Sequence, residues 1–354
     1  MNWDEFDRLI KSRRAKNDIK TPSDKVKTKT NDVKPSNNNT HISPKDITKQ
    51  LKLEEVKGFN DKAFSLQNII NTNFPRNTPL FVVGTKGSGK TYLLASLGQY
   101  AYKTKQFKRI FYIYAENVDS TINRAIPRAN LYQIPQAVAT MFIIKYLNKK
   151  TKFCSCARFI NSINETKNEL PESIEQLSTL PIYWDNYLND LVKRKHLETS
   201  DNLITYANRV IAKYSDKETV LTVEGMSYNI GVFDKKADDD FDCFIIDDIA
   251  QFSELFGTTR KNAILYKYFT ITRQNMTTFY LAGQELQQLP KMYRSQLGAI
   301  VVLKGVDVID SLRESKLPKL NIVELYKKFI TLKPHEGVLI NYNSGEIEFI
   351  KVDE

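Results

Sequence analysis

Five short runs of apolar residues recur along this chain of 354 residues, and stretches with helical periodicity separate them. Each run is continuously apolar instead of alternating between apolar and polar positions, which is typical of parallel strands covered on both faces. The pattern therefore predicts an α/β fold with a central, mainly parallel sheet. The predicted core strands cover residues 80–83, 109–115, 243–246, 277–283 and 299–303.

The long interval between the second and third core strands has patterns of its own. Helical periodicity predicts helices at 134–148 and 174–195, and two runs of strand-forming residues around Gly225 predict a hairpin at 219–233. A structureless connection of this length is uncommon. Residues 121–239 are therefore expected to form an inserted, mainly helical subdomain.

The remaining segments complete the predicted organisation. The predicted core comprises residues 58–120 and 240–330, with helices predicted at 258–275 and near 320–332. Residues 331–354 are expected to form a C-terminal β-hairpin, because two apolar runs flank an Asn-Ser-Gly turn.

Positive charge is concentrated at the amino terminus. The chain has 52 Lys or Arg and 41 Asp or Glu residues, and residues 1–50 hold 12 of the basic and 7 of the acidic ones. Large apolar residues are scarce from Lys20 to Gln50, so residues 1–57 are expected to be a largely disordered basic tail. The tail is either a contact for nucleic-acid phosphates or a solvated linker. A short helix is predicted at its start, as a docking motif or a cap on the core, from Trp3, Phe6, Leu9 and Ile10.

Other classes of protein are disfavoured by the composition. The amino terminus lacks the apolar segment of a secretory signal, and the longest apolar patch, 137–144, is too short to span a bilayer. No membrane partner is expected. Three cysteines offer no disulfide framework, which favours a soluble protein in a reducing compartment. Cys154 and Cys156 have no second cysteine pair, so they are interpreted as thiols and not as zinc ligands.

The first core strand leads into a glycine-rich turn and an apolar helix, which is the context of a phosphate-binding loop. Glycines let the backbone wrap closely around an anion, and the amides at the start of the helix favour negative charge. Lys90 would reach the β- and γ-phosphates, and the Thr91 hydroxyl would hold Mg²⁺. A glycine-rich surface turn, the alternative, does not explain the apolar runs on both sides. ATP with Mg²⁺ is therefore expected, and the predicted nucleotide-binding residues are Gly84, Thr85, Lys86, Gly87, Ser88, Gly89, Lys90, Thr91 and Tyr92.

Polar side chains end the third and fourth core strands. Asp247 is the second predicted Mg²⁺ ligand, and Asp248 is the predicted general base for the attacking water. A strand that merely ends in a polar turn is the alternative, but the lysine-bearing loop favours the catalytic interpretation. Gln284 is predicted to orient the water and sense the γ-phosphate, or else it only caps its strand.

Arg273 precedes Gln284 by eleven residues, and Pro290 and Arg294 follow it. Together with the phosphate loop and the paired aspartates, these residues resemble the FtsK–HerA superfamily of ring-forming DNA translocases. The resemblance covers roughly residues 75–120 and 240–305. Within the superfamily, the paired aspartates and the stretch 273–294 resemble the poxvirus-type genome-packaging ATPases of nucleocytoplasmic large DNA viruses, and the length and basic tail suggest the asfarvirus branch. The features that carry the resemblance are the phosphate loop, Asp247, Asp248, Arg273, Gln284, Pro290 and Arg294.

The resemblance implies a RecA-like fold and ATP hydrolysis in a homo-oligomeric ring, a hexamer or pentamer, that packages double-stranded DNA. Capsid proteins would be further partners, and the viral factory of the host cytoplasm and the virion would be the locations. It also implies an arginine finger for a neighbouring subunit, with Arg273 as first and Arg294 as second candidate. Either arginine is alternatively a DNA-phosphate or salt-bridge residue.

Two departures from the family pattern bear on the site. Many superfamily members have Asp-Glu where this chain has Asp247 and Asp248, so the water must sit closer to the shorter side chain. Gln274 stands where poxvirus-type relatives tend to have histidine, which leaves the second position of that pair without an assigned role.

A ring helicase or protein-remodelling ATPase is the alternative function, and a nucleotide-operated binding module is a third. Asp248 disfavours the binding module, because a pure switch needs no dedicated base. A small-molecule kinase is disfavoured by Gln284 at the end of the fourth strand.

Overall fold

Continuously apolar strands form the centre of the structure. The structure is a computed structural model that describes residues 78–115, 120–126, 131–166, 169–257, 265–305, 329–342 and 347–351. The strands with described bounds are β1 (Leu80–Val83), β2 (Arg109–Tyr114), β3 (Leu131–Pro135), β4 (Val220–Val223), β5 (Met226–Asn229), β6 (Asp242–Ile246), β7 (Thr277–Gly283), β8 (Ala299–Leu303), β9 (Glu336–Asn341) and β10 (Ile347–Lys351). All described residues belong to one compact unit.

Helices and short 3₁₀ turns connect these strands. The α-helices with described bounds are α1 (Lys90–Lys103), α2 (Ser120–Ala125), α3 (Gln136–Glu165), α4 (Ile174–Leu177), α5 (Asn186–Lys195), α6 (Ser200–Ser215), α7 (Tyr266–Thr270), α8 (Thr272–Asn275) and α9 (Lys291–Arg294). The 3₁₀ helices are Ala237–Asp239, Ile249–Phe252 and Leu286–Gln288. Within the described ranges, no helix has both the length and the apolar character that a membrane span requires.

Eight strands form one mixed sheet in the order β10-β9-β8-β1-β7-β6-β2-β3. The six strands from β8 to β3 run parallel to their neighbours, while β9 and β10 are antiparallel additions at one side. The α/β prediction is confirmed. Because β7 lies between β1 and β6, the segments that follow these three strands emerge side by side at the carboxyl edge of the sheet, where open α/β sheets bind ligands.

Both faces of the parallel strands are covered, which explains why their sequences do not alternate. One face packs against α1 through residues such as Leu93, Leu94 and Leu97. The other face carries a row of aromatic rings from neighbouring elements. Phe244 stacks on Phe279 with centroids 5.4 Å apart, and Phe279 stacks on Phe269 at 4.6 Å.

A buried group of four charged residues fixes α3 against the amino ends of β2 and β6. Lys150 Nζ lies 2.9 Å from Asp240 and 2.8 Å from Asp242, and Arg109 Nη1 lies 2.9 and 2.8 Å from the same two carboxylates. The Tyr146 hydroxyl also donates to Asp242. Two positive and two negative charges cancel, so the group remains ionised although it is buried. This buried charge cluster joins the long helix to the sheet.

The structure corrects the prediction of a helix that begins at Ile134. Residues 131–135 form β3, which pairs with β2 in the main sheet, and α3 begins only at Gln136. Pro135 marks the boundary with φ −69° and ψ 150°, an extended conformation, and its ring nitrogen has no hydrogen to donate. The sheet therefore includes a strand from within the range predicted as an insertion.

Two other predicted helices are interrupted. The predicted helix at 174–195 is observed as α4 and α5, and Asp185 caps α5 by accepting a hydrogen bond from the amide of Leu188 at 2.9 Å. In the predicted helix at 258–275, α7 and α8 are separated at Ile271, while residues 258–264 lie outside the described residues. Most of the helix predicted near 320–332 also lies outside them, as does the whole basic tail.

Both predicted hairpins are present. The β4–β5 hairpin turns at Glu224 and Gly225, whose φ angles of 48° and 81° suit a tight two-residue turn. The C-terminal strands β9 and β10 pair with each other, and β9 also pairs antiparallel with β8. The second hairpin therefore extends the main sheet and places its preceding loop beside the loop that follows β1.

Candidate nucleotide-binding site

The glycine-rich loop after β1 closes tightly on itself. The amide of Gly84 donates to the carbonyl of Gly283 on β7 at 3.1 Å, and the amide of Ser88 donates to the carbonyl of Thr85 at 3.2 Å. A Cβ atom on Gly84 would lie 2.2 Å from Ser88 Oγ, so any other residue there would force the Ser88 side chain to move. Gly87 and Gly89 have φ angles of 77° and 96°, which other residues rarely adopt.

Lys90 lies across this loop from the first position of α1. Its Nζ donates to the carbonyl of Gly84 at 2.8 Å and to the carbonyl of Thr85 at 2.9 Å. Burial lowers the pKa of Lys90, while the nearby carboxylates of Asp247 and Asp248 act in the opposite direction. The ammonium group is thus held within the loop, where it can pair with phosphate oxygens.

Thr91 and Asp247 meet at the edge of the sheet. The Thr91 hydroxyl donates to Oδ2 of Asp247 at 2.6 Å. A hydroxyl and a carboxylate from a phosphate loop and a neighbouring strand are the hard oxygen ligands that Mg²⁺ takes together with water and substrate phosphate. The donor chemistry of this pair fits the predicted Mg²⁺ site.

Asp248 follows in a left-handed backbone conformation, with φ 55° and ψ 69°. Its Oδ2 accepts a hydrogen bond from Gln251 Nε2 at 3.0 Å, while its buried Oδ1 has no hydrogen-bond partner among the described residues. Aspartate tolerates this conformation better than most residues, and such conformations concentrate at functional sites. One carboxylate oxygen of Asp248 is therefore held in place and the other is available to accept a proton.

Ser88 provides a second unsatisfied polar atom in the same place. Its buried Oγ has no hydrogen-bond partner among the described residues. A buried polar group without a partner is rare and costs about 1–3 kcal/mol. Binding of a phosphate in the loop would supply acceptors for such a group.

The other predicted loop residues surround this centre. Thr85, Lys86 and Gly87 are exposed, and the half-buried Tyr92 packs against the core below α1. Gln284 is exposed directly after β7, between the strand that leads to the loop and the strand that leads to Asp247. The backbone N–H of Gln284 donates to Oε1 of Gln288 at 2.7 Å, which fixes the backbone at this position. The role of the Gln284 side chain stays a prediction.

The two candidate arginine fingers lie in different surroundings. Arg273 is exposed on α8, which precedes the amino end of β7 and is therefore on the edge opposite the phosphate loop. Arg294 is half-buried at the end of α9, and its Nη1 donates to the carbonyls of Leu286 at 3.1 Å and Leu289 at 2.6 Å. Only Arg273 has an exposed side chain that a neighbouring subunit can contact without breaking these bonds.

His335 is a neighbour of the site to which the sequence assigned no role. A Cβ atom on Gly89 would lie 2.9 Å from His335 Nδ1, so the imidazole sits against the backbone of the phosphate loop. The loop that carries it is anchored to β8, because the amide of Lys304 donates to the carbonyl of Glu336 at 3.0 Å. No local motif marks this histidine, since only the pairing of β8 with β9 and β1 brings it here.

The three buried cysteines take no part in this site. Burial raises the pKa of the Cys154 and Cys156 thiols to about 12, and both lie on α3. The described residues contain no group of three or more His, Cys, Asp or Glu side chains that could hold a metal ion.

Comparison with known proteins gives one family match and several distant structural neighbours. The family model of the bacterial DnaA ATPase domain matches residues 56–169. No curated protein matches the chain. The solved structures that resemble it include the genome packaging NTPase B204 from Sulfolobus turreted icosahedral virus 2 in complex with ATPγS, at 14% identity, 78% coverage of this chain, 98% coverage of that chain and a TM-score of 0.38.

Two bacterial ATPases are similar at the same level. The cytoplasmic domain of the type VII secretion ATPase EccC from Thermomonospora curvata is 15% identical, with 77% of this chain and 25% of that chain covered and a TM-score of 0.37. EssC (ATPases 2 and 3) from Geobacillus thermodenitrificans is 10% identical, with 78% and 40% covered and a TM-score of 0.40. Likeness of this degree assigns no substrate or partner.

The chain has an α/β core of the P-loop ATPase type, as the sheet order, the phosphate loop and the ATPase-domain match agree. The predicted RecA-like fold and the predicted ATPase activity fit these findings. The FtsK–HerA resemblance and the asfarvirus assignment stay predictions.

Proposed function

We propose that this chain binds ATP with Mg²⁺ and hydrolyses it as one subunit of a homo-oligomeric ring that moves double-stranded DNA. The observation that carries the proposal is the 2.6 Å contact between Thr91 and Asp247, with the available oxygen of Asp248 one residue further on. These groups come from two distant parts of the sequence and meet at the end of the phosphate loop. A structural turn would need no such convergence of a hydroxyl, an ammonium and two carboxylates.

Binding uses the loop between Gly84 and Thr91. The backbone amides at the start of α1 would donate to bound phosphates, because the dipole of this helix favours negative charge at its amino end. Lys90 would exchange its bonds to the loop carbonyls for the β- and γ-phosphate oxygens, and Thr91 and Asp247 are the residues that would hold Mg²⁺. When bound, Mg²⁺ neutralises charge on the phosphate oxygens.

Hydrolysis uses the residues that follow β6 and β7. Gln284 orients a water molecule toward the γ-phosphorus, and Asp248 Oδ1 accepts a proton from it as the oxygen attacks. The bond between the γ-phosphorus and the bridging oxygen breaks, and ADP and inorganic phosphate leave. Arg273 of one subunit supplies positive charge to the site of its neighbour, which makes hydrolysis depend on assembly.

The proposal of DNA as the cargo rests on the resemblance of the motifs to DNA translocases and on the net charge of +11. In a virus-encoded packaging motor the further partners would be capsid proteins, and the working location would be the viral factory in the host cytoplasm, with retention in the virion.

The test is ATPase activity of the full chain with and without duplex DNA, measured together with the mass of the assembled species. The motor hypothesis predicts a ring-sized mass and a hydrolysis rate that rises with duplex length. Asp248→Asn should remove the DNA-stimulated rate and keep the assembled mass, which controls for contaminating ATPases.

Other results would favour the alternatives. Stimulation by single-stranded DNA alone, with displacement of an annealed strand, would identify a ring helicase. Stimulation by neither nucleic acid would reject DNA translocation and favour a protein-remodelling ATPase. Tight ATP binding without turnover would favour a nucleotide-operated binding module.

A further inference from the structure

A basic cleft lies between the long helix α3 and the short helices α5, α7 and α8. It has a volume of about 1160 Å³. Its charged lining is one-sided, since it consists of five cationic side chains and a single carboxylate. The cations are Lys152, Lys193, Arg194, Lys195 and Lys267, and the carboxylate is Asp190.

The positive charge of the basic cleft exceeds its negative charge, because one carboxylate, that of Asp190, lines it together with five cations. Cations such as Arg158 and Lys235 have a carboxylate partner within 4 Å, whereas none of the five cleft cations has one among the described residues. Arg194 donates from Nε only to the backbone carbonyl of Asp190, at 3.1 Å. Five like charges that are not paired with carboxylates repel one another, so the cleft would gain free energy from an anionic ligand.

The same surface continues beyond the cleft along α3. The pKa of Lys149 is lowered by burial and then by the positive charges of Lys213, Lys152 and Lys145. Lys152 belongs to both groups, because it also lines the cleft. Further cations on α3 and α6 therefore lie near Lys152, so the positive charge extends beyond the five cations of the cleft.

Two tyrosines form part of the cleft wall. Tyr187 and Tyr206 line it, and the Lys152 ammonium lies 5.1 Å from the centroid of the Tyr206 ring. By contrast, none of the exposed large hydrophobic residues of the described part lines the cleft. Lysine is depleted at protein–protein interfaces, whereas contacts to a phosphate backbone use lysine and arginine.

The basic cleft is separate from the nucleotide site. Helices α7 and α8 precede the amino end of β7, while the phosphate loop, Asp247 and Gln284 follow the carboxyl ends of their strands. Nucleotide and cleft ligand would thus bind at opposite edges of the same sheet. A residue of the cleft can be changed without touching the atoms that hold ATP.

We propose that this basic cleft binds the phosphate backbone of duplex DNA. The proposal rests on the proposed function, in which DNA is the cargo. It places the DNA-binding surface on α3 and α5, at the edge of the sheet opposite the ATP site. Each lysine would neutralise one backbone phosphate and release its counterion, so that affinity would fall steeply with salt.

The experiment compares Lys193→Gln/Lys195→Gln with Lys103→Gln/Lys105→Gln in the full chain. Both doubles remove two charges from exposed lysines, but the second pair lies at the end of α1, outside the cleft. Binding of a fluorescent 30-base-pair duplex is measured from low to high salt. The basal ATPase rate without DNA serves as the check that each variant is folded.

The cleft variant should bind the duplex about tenfold more weakly, and its log–log salt slope should be shallower by about 2, since each lost phosphate contact contributes about 0.9. The control should shift affinity by less than about twofold, because charges outside the interface act only through screened long-range attraction. The basal ATPase rate of both should match the unsubstituted chain.

Three results would overturn the proposal. If the cleft variant binds duplex DNA as tightly as the control variant and keeps the DNA-stimulated ATPase rate, DNA binds to another surface and the proposed function stands. If the unsubstituted chain binds no duplex at any salt, both the cleft assignment and DNA translocation fail. If polyglutamate, but not duplex DNA, binds the unsubstituted chain and is lost in the cleft variant, the partner is an acidic protein segment.

Discussion

The hydroxyl of Thr91 donates a 2.6 Å hydrogen bond to the carboxylate of Asp247, although 156 residues separate them in the sequence. The two residues come from segments on either side of β7, because Thr91 follows β1, Asp247 follows β6, and β7 lies between these two strands. Both residues are thereby held at one edge with Lys90. This geometry brings the groups that would hold the metal and those that would hold the phosphates into one place.

Substitution of Lys90 should weaken ATP binding, whereas substitution of Asp248 should slow ATP hydrolysis. Lys90→Ala should weaken ATP binding by about 100-fold, since a charge-assisted hydrogen bond contributes up to about 3 kcal/mol. Asp248→Asn should keep the affinity for ATP and lower the hydrolysis rate by about 10²–10⁴, the usual contribution of a general base. Isothermal titration with a non-hydrolysed analogue and a phosphate-release assay measure the two effects.

Lys86→Ala is the matched control for the first change, because Lys86 is an exposed lysine of the same loop. It should bind ATP nearly as well as the unsubstituted chain, as only its backbone is expected to contact phosphate. Normal hydrolysis by Asp248→Asn would remove the assignment of Asp248 as the base.

Substitution of Arg273 should affect ATPase activity, whereas substitution of Arg294 should affect the stability of the fold. Arg273→Ala should leave thermal stability unchanged and lower ATPase activity by about 10³-fold or more, the effect of losing an arginine finger. Arg294→Ala should lower the stability by about 1–3 kcal/mol, because it removes the side-chain donor to the carbonyl of Leu289 and one of two donors to the carbonyl of Leu286. Thermal unfolding and ATPase assays of both variants give the comparison.

Subunit mixing tests whether Arg273 acts on a neighbour. Arg273→Ala subunits have an intact phosphate loop, and Lys90→Ala subunits have an intact arginine, so a mixture should regain activity that neither variant has alone. No recovery in stable mixed assemblies would assign Arg273 to a role within its own subunit or on another ligand.

Acid should weaken the fold through the buried charge cluster. Burial alone would raise the pKa of Asp240, but Lys150 and Arg109 outweigh this and lower it from 3.8 to about 2. A carboxyl with a lowered pKa in the folded chain stabilises it above its unfolded pKa. This contribution, about 2 kcal/mol, is present above pH 3.8 and is lost as the pH falls through about 2.

Urea unfolding between pH 5 and pH 2 measures that loss. Asp240→Asn should be destabilised at pH 5 by about 3–5 kcal/mol, because it leaves buried cations short of one negative charge. Its remaining stability should then change less between pH 4 and pH 2. Asp216→Asn, which breaks the exposed pair with Lys235, should follow the unsubstituted chain, and an equal loss in both variants would contradict the special role of the cluster.

His335 should influence nucleotide binding from the loop before β9. Its imidazole lies against Gly89, so His335→Ala should weaken ATP binding by about 2- to 10-fold, the size of one lost hydrogen bond. Gly89→Ala should be far worse, because the added Cβ meets the ring at 2.9 Å and the residue has φ 96°. Unchanged affinity in His335→Ala, with the fold intact by circular dichroism, would show that the ring only packs against the loop.

Several features could be predicted from the sequence because their causes are local. The apolar runs around Phe81, Phe244 and Phe279 predicted buried parallel strands, and the glycine spacing predicted the phosphate loop, since backbone conformation there depends on the absence of a side chain. The hairpin at Gly225 followed from turn chemistry. The order of polar strand ends also predicted which residues reach the same edge.

Other features depended on contacts between distant segments. Residues 131–135 resemble the start of a helix by pattern, and only pairing with β2 makes them a strand. Helix breaks at Ile271 and before Asp185 depend on packing and capping that periodicity does not record. The buried charge cluster around Lys150 could not be predicted from the sequence either, because a lysine in a helix is normally solvated.

The amino-acid sequence by itself determined the chemistry of the phosphate loop, the acidic strand end and the core strands, because each is encoded within about ten consecutive residues. Tertiary structure alone decided that β9 extends the sheet and brings His335 to Gly89, and that five cations from three helices line one cleft. The physical reason is that strand pairing and helix packing set distances between residues far apart in the chain, and no local pattern specifies those distances.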